Sequence, residues 1–202
     1  MGTAGVRLSL LGSEPVTQSG AGPSDAALVV AARARERWAE EALFRRHARM
    51  ANGLAFRLMG NDADVDDLVQ DAFFAAFSAL DRIENPQAFG GWLAAIVVRT
   101  AHKRLRRRRL MTRLGLVRTE PVDLDRVVSR TVPPDVGVEL RAIYALVDRL
   151  PAGERVALVL RRVEGLNLEE VARRMGLSLA TVKRRLAAAQ SRLDGMLAGR
   201  TP

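Results

Sequence analysis

The stretch from Leu166 to Leu193 constrains this chain more than any other. Read at the period of an α-helix, Leu168, Val171, Ala172 and Met175 share one face, and beyond Gly176 the residues Val182, Leu186, Ala189 and Leu193 share another. The spacing predicts two short amphipathic helices with one tight joint. Gly176 can adopt the positive φ that ends a helix, and Ser178 can cap the next one by accepting a backbone N–H. Ala172 is small where the two helices must cross closely. This is the pattern of a helix-turn-helix, whose second helix lies in the major groove of DNA. On that helix Ala180, Thr181, Lys183, Arg184 and Ala187 point away from the apolar seam, so its outward face is positive and has little bulk. A helical hairpin with a solvated basic face shares the same spacing, so this motif alone does not fix a function.

Charge narrows the choice of partner. A net charge of +9 and an isoelectric point near 11.3 point to a polyanion, either nucleic acid or an anionic membrane surface. Apolar residues make up 48% of the chain and aromatic ones only 4%, which favours helices packed through Ala, Leu and Val. With 202 residues there is room for one or two domains, each with its own core. The absence of cysteine excludes disulfides and Cys-ligated zinc. No apolar run approaches a membrane span, and the start lacks a signal peptide's basic flank and long apolar core. A soluble, cytoplasmic protein without membrane insertion is expected.

Along the chain, residues 1–24 mix Gly, Ser, Thr and Pro around a brief apolar patch and are expected to be disordered. A helical pattern then begins at Asp25, with Ala27, Leu28, Val30 and Ala31, then Trp38, Ala42, Leu43 and Phe44, and ends at Gly60-Asn61 as a C-cap should. The next helix opens on Asp62, Asp64, Asp66 and Asp67, carboxylates placed at the positive end of its dipole. Asp67, Gln70 and Asp71 fall at three- and four-residue spacing and form one acidic, polar patch on an otherwise basic protein. An acidic first turn can be no more than a helix start. The cluster lacks the glycine and closing glutamate of a calcium loop, so no metal site is expected. Pro86, Gly90 and Gly91 mark a break between helices. From Trp92 to about Arg109 the pattern is helical again, with Leu93, Ile96, Val97, Thr100 and Ala101 inward, ending in Lys103-Arg104-Leu105-Arg106-Arg107-Arg108-Arg109. So dense a run of like charge calls for a counter-ion layer, and phosphate is the natural one. Residues 110–137 lose periodicity and read as a linker. Helical pattern resumes through Leu140, Ile143, Leu146, Val147 and Leu150, and Pro151 starts a further helix with Val156, Ala157, Val159, Leu160 and Val163 on its apolar side. His47 and His102 stand apart from each other and from any Asp or Ser at catalytic spacing, so both read as surface or packing residues.

These blocks together resemble a known family. Asp64-Val65-Asp66-Asp67-Leu68-Val69-Gln70-Asp71-Ala72-Phe73, Ala79-Leu80-Asp81, Ala88-Phe89-Gly90-Gly91-Trp92-Leu93, the basic helix end, and Leu150-Pro151 to Glu164-Gly165 followed by the helix-turn-helix are similar to the extracytoplasmic-function (ECF) group of bacterial sigma-70 family sigma factors. The resemblance implies an all-α chain of two small helical domains joined by a flexible linker. Residues 25–109 would form a region 2-like domain, 110–137 the linker and 138–198 a region 4-like domain with the helix-turn-helix. It implies no catalysis and no cofactor.

It further implies partners and roles. Asp64, Asp67, Gln70 and Asp71 would dock on the clamp helices of the largest subunit of core RNA polymerase. Ile83, Asn85, Phe89, Trp92, Arg99, Lys103 and Arg106 would read the minus-ten element and hold the opened strand. Ser178, Thr181, Lys183, Arg184 and Arg185 would grip the minus-thirty-five element of promoter DNA, with the second domain also meeting the flap of the second-largest subunit. An anti-sigma factor is expected to regulate such a chain. The sequence departs from many members at Arg99, where asparagine is common, around Gly90, Ala94 and Ala95, and at Ala187 and Ala188, where relatives often carry a bulky or basic residue. On residue grounds Trp92 reads as core rather than a stacking platform, and Ser178 as a cap first. Two rival functions stand beside this one. A stand-alone helix-turn-helix regulator leaves the acidic helix without a role, and a membrane-surface protein leaves the turn at Gly176 unexplained. The two positive faces, one per domain, are expected to lie apart.

Overall fold

The computed structural model describes residues 22–60, 64–116 and 144–198, all of them helical or in connecting turns. The first module holds α1 (Asp25–Arg33), α2 (Arg37–Met59), α3 (Val65–Ser78), two 3₁₀ turns (Leu80–Arg82 and Pro86–Ala88) and α4 (Phe89–Arg113). In the second module a helical segment at 144–148 precedes α5 (Ala152–Leu158), a π-helical turn (Val159–Val163), α6 (Leu168–Met175) and α7 (Leu179–Ala198). The expected disorder of the first residues and most of the linker lie outside the described residues.

Local chemistry sets the boundaries. Ser24 caps α1 by accepting the Ala27 N–H at 3.3 Å, and α2 ends at Gly60 in the left-handed region at φ 73°. Between them the chain reverses at Arg35, a non-glycine residue with φ 65°. Helix α6 starts in a capping box that Asn167 and Glu170 build between them. The Asn167 side chain accepts the Glu170 N–H, and the Glu170 carboxylate accepts the Asn167 N–H, each at 2.8 Å. It stops at Gly176, φ 64°, where the Leu177 N–H returns to the Ala172 carbonyl at 3.0 Å. The joint expected from the sequence is therefore present, with a start signal at Asn167 added to it.

Packing follows the periodicity in most places. In the first module α2, α3 and α4 pack around Leu43, Leu54, Leu58, Leu68, Phe73, Leu93 and Val97, all buried. Helix α1 turns Leu28, Val29 and Ala32 inward, so Val30, expected on the apolar face, is 61% exposed, and Trp38 lies outward as well. The register slips because β-branched and large residues occur on both faces of this segment. Val163 is also outward, because the π-helical turn rotates the end of the α5 run by one residue.

The two modules do not stand apart. Helices α5 and α6 pack on α4, the π-helical turn meets the end of α2, and a single apolar cluster runs from Leu58 and Val98 through Val156, Leu160 and Val171. Arg155 of α5, 2% exposed, reaches through this seam to donate its Nε–H to the Leu58 carbonyl at 2.8 Å and pairs with Asp148. Arg57 of α2 pairs with Glu164, and Arg108 of α4 bonds Asp148 at 2.8 Å. The positive faces consequently meet across a cleft of about 820 Å³, with Lys103, Arg106, Arg109 and Arg113 on one wall and Arg185 and Arg192 on the other. That overturns the expectation of separated faces. The sequence shows each module's surface charge and carries no signal for how the modules dock.

Because both ends of α6 are fixed by single residues, Asn167→Ala and Gly176→Ala are each expected to lower the unfolding free energy by about 1 kcal/mol, the first by losing the cap and the second by straining a left-handed residue. Urea denaturation of the full chain measures both.

Candidate nucleic-acid and protein interfaces

Helix α3 separates its residues cleanly. Val65, Leu68, Val69, Ala72, Phe73 and Ala76 face the core, which leaves Asp66, Asp67, Gln70, Asp71 and Phe74 on the outside. Asp66, Asp67, Gln70 and Phe74, with Phe44 and Asn52 of α2, line a shallow groove of about 500 Å³. Phe74 is 76% exposed and Phe44 43% exposed, and the Phe44 ring lies 4.7 Å from that of Phe73. The four acidic and polar residues singled out in the sequence divide here. Asp71 pairs with Arg104 of α4, and Asp64 lies 3.8 Å from Arg108, whereas Asp67 makes no ion pair among the described residues and Gln70 is exposed beside it. Phe74 was missed by the sequence reading. Its signal is the period: the inward series 65, 68, 69, 72, 73 and 76 leaves position 74 on the outer face.

The turn after α3 is held from behind. Arg33, the last residue of α1, donates from Nε and Nη2 to the Leu80 carbonyl at 3.2 and 3.0 Å, and from Nη2 to the Ile83 carbonyl at 2.7 Å. Ile83 and Phe89 are both buried, and in this structure their side chains belong to the core that carries the turn. Asn85 is exposed, and its side chain caps the second 3₁₀ turn by accepting the Gln87 N–H at 3.1 Å. Trp92 is half-buried with its ring 6.0 Å from Phe89, in keeping with a packing role. His47 also packs on Phe89, at 5.2 Å, and its Nε2 lies 2.9 Å from Asp25, a partner its sequence position did not suggest.

Along α4, Val97, Val98, Ala101 and Leu105 are buried, so Arg99, Lys103, Arg106 and Arg107 form an exposed stripe. Arg99, Lys103 and Arg107 face a groove of about 910 Å³ that ends at Asp71 and Phe74. Arg106 instead faces the cleft between the modules.

In the second module the Ser178 hydroxyl accepts the Thr181 N–H at 3.3 Å and lies 2.9 Å from the Thr181 hydroxyl, so both serve the start of α7. Lys183 and Arg184 are fully outward. Arg185 is not: its Nη1 is buried without a hydrogen-bond partner among the described residues, in the cleft with His102 and Gly153. The structure thus brings Lys183 and Arg184 together on an open face and removes Arg185 from it.

Comparison with known proteins fits this layout. Residues 43–110 match the family model of sigma-70 region 2, and residues 140–193 match that of sigma-70 region 4, together more than half the chain. The ECF RNA polymerase sigma factor SigM of Mycobacterium tuberculosis is 33% identical over 174 residues, covering 86% of this chain and 85% of SigM. The chain belongs to the ECF sigma factors. SigE of Mycolicibacterium smegmatis is 34% identical over 165 residues, 77% of this chain and 60% of that longer protein. A solved structure of CnrH in complex with the cytosolic domain of CnrY aligns at a TM-score of 0.55 and 27% identity, covering 88% of this chain and 99% of that one. For this ECF sigma factor the matched segments begin after α1 and Arg33 and leave out 111–139. Among the described residues no helix is long and apolar enough to cross a membrane, and no group of three His, Asp or Glu could hold a metal ion.

His102 reports on the cleft. Burial, followed by the nearby charges of Arg185 and Arg106, holds its pKa below the ordinary 6.5. The folded sigma factor therefore prefers the neutral ring, a preference that is fully favourable above 6.5 and is lost as pH falls through the ordinary value toward the folded one. Lowering the pH from about 7.5 to about 5.5 is expected to lower the melting temperature, and His102→Gln to flatten that slope. Thermal unfolding of both proteins across this range is the check.

Proposed function

We propose that this ECF sigma factor docks on core RNA polymerase through the α3 face, reads and opens the promoter with the 80–91 turn and the α4 stripe, and grips the upstream element with α7. The observation that supports it most is the pairing of unshared carboxylates, Asp66 and Asp67, with outward Phe44 and Phe74, on a chain whose net charge is +9. DNA would repel that face, while a basic protein surface with an apolar centre would fit it. Lys183 and Arg184 offer phosphate contacts, and the small Ala187 beside them lets the helix sit close to the duplex. Opening requires cations to follow the freed strand, and Arg99, Lys103 and Arg107 supply them in one groove. The chain performs no chemistry in this scheme and works in the cytoplasm as a polymerase subunit, subject to an anti-sigma factor. A stand-alone regulator is the weaker reading, because it gives the α3 face nothing to bind.

Asp67→Lys is the direct test, since Asp67 has no ion pair to lose among the described residues. Core affinity is expected to fall at least about tenfold, near 1.4 kcal/mol, with the melting temperature unchanged. Unchanged affinity in a fluorescence titration with purified core would remove the docking role.

Arg33 acts here through the turn it holds and is a positioning residue. Arg33→Ala is expected to slow promoter opening about tenfold while core affinity stays as it was, and a template with a pre-melted bubble is expected to restore the rate. Permanganate footprinting over time, on both templates, separates this from general loss of folding.

A further inference from the structure

We propose that the cleft lined by α4, α5 and α7 is a binding site for a short polyphosphate chain, free or carried on a nucleoside. The site goes beyond the polymerase and promoter roles argued above, which leave Arg109, Arg113 and Arg185 without a task.

The lining is almost wholly cationic. Six arginines and Lys103 border the cleft, and Glu154 is the one carboxylate among the described lining residues. Glu154 already meets Arg192 at 3.1 Å, so the lining offers the other cations no carboxylate of their own. Burial, and then the charges of Arg185 and Arg106, lowers the pKa of the His102 ring, in keeping with a space that disfavours one more positive charge.

Arg185 is seated in this lining by a glycine. Its guanidinium lies over Gly153 of α5, where a Cβ would stand 2.5 Å from Nη1 and 2.7 Å from Cζ. Gly153 lies inside a helix and has no positive φ, so the backbone does not require glycine there, and glycine costs the helix stability. What its missing side chain provides is room for Arg185. The seat covers Nη1, which has no hydrogen-bond partner among the described residues, so the charge is poorly hydrated on that side. An anion held on the cleft side of the group offsets this loss, and a guanidinium offers parallel N–H donors to two phosphate oxygens.

Size and lining select the ligand class. At about 820 Å³ the cleft falls within the range of small-molecule sites, about 300–1,000 Å³. Its apolar lining is Leu110, Pro151 and Ala152, with no Phe, Tyr or Trp among the described residues to stack a base, so the phosphate chain is the group recognised. A polyphosphate concentrates several negative charges in that volume, whereas a nucleic-acid strand brings one per nucleotide.

Inorganic tripolyphosphate is the probe, titrated calorimetrically into the full chain at about 150 mM salt without magnesium. One site per chain is expected, with affinity at least about tenfold above that for sulfate at equal ionic strength. Gly153→Ala keeps every charge and suits a helix, and by displacing the Arg185 guanidinium it is expected to weaken binding at least about threefold with the melting temperature held or raised. Arg185→Gln is expected to weaken it at least about tenfold, and Arg173→Gln, which removes an exposed charge outside the cleft, less than about twofold. Several weak sites per chain, or equal losses in Arg173→Gln and Arg185→Gln, would overturn the proposal, because the affinity would then belong to net charge.

A second arm separates the sources. Equal affinity for ATP and tripolyphosphate supports a site for the chain alone. Tighter binding of ATP, with the same losses in Gly153→Ala and Arg185→Gln, supports a nucleotide as its carrier. A single-stranded oligonucleotide that binds more tightly than tripolyphosphate and loses as much in Gly153→Ala would overturn the proposal, by making the cleft a channel for nucleic acid.

Discussion

A buried guanidinium organises this molecule. Arg155 sits at the start of the second module, sends its Nε–H to the Leu58 carbonyl at the end of α2, and shares Asp148 with Arg108 of α4. Burial pulls its pKa below the ordinary arginine value, and the charge and hydrogen bond of Asp148 oppose that pull. One of its two terminal nitrogens, Nη2, has no hydrogen-bond partner among the described residues. An apolar side chain of similar volume could fill the space without the desolvation cost, so what arginine adds is orientation. It accepts only an arrangement in which a helix-end carbonyl and a carboxylate converge, and that fixes where α5, and with it the helix-turn-helix, lies on α4.

Charge is partitioned by element. The surface of α3 is negative because its first turn stabilises carboxylates and its inner face takes Val65, Leu68 and Val69. The outer side of α4 is positive over four turns, and among the described residues it meets the acidic face of α3 where Arg104 pairs with Asp71 and Arg108 approaches Asp64. Those pairs are largely exposed and add little stability. Their effect is to mark the border between a face suited to a basic protein and a face suited to phosphate, a few ångströms apart on neighbouring helices.

Much of this could be read from residue order alone. The joint at Gly176, the cap at Ser178 and the break at Pro86 are local, each set by one or two residues with a specific conformational demand. The α4 stripe was legible because the apolar period continues through the arginines at Leu105. The burial of Ile83 and Phe89 was less legible, because a turn rich in polar residues suggests exposure, while here two apolar side chains anchor it. Phe74 escaped notice because an aromatic residue within an apolar run looks like core until the face is counted. The seam escaped altogether, since Arg155, Arg57 and Arg108 are indistinguishable by type from the arginines that meet solvent, and only their partners, 97, 107 and 40 residues away in sequence, set them apart.

The cleft shows why the seam must be weaker than its list of bonds suggests. Its walls bring Lys103, Arg106, Arg107, Arg109 and Arg113 opposite Arg185 and Arg192, with Glu154 as the one acidic lining residue among the described residues. Arg192 meets Glu154 at 3.1 Å, which leaves the remaining cations facing each other in a partly enclosed space where water screens them poorly. Burial first, and then this repulsion, lowers the pKa of His102, a group that can shed its proton. Arginine cannot shed one, so the repulsion stays in the cleft. Phosphate would relieve it, and Lys103, Arg106 and Arg113 are exposed enough to meet it at the edge of the cleft. The repulsion across the cleft and the attraction these side chains would have for phosphate thus have a single origin.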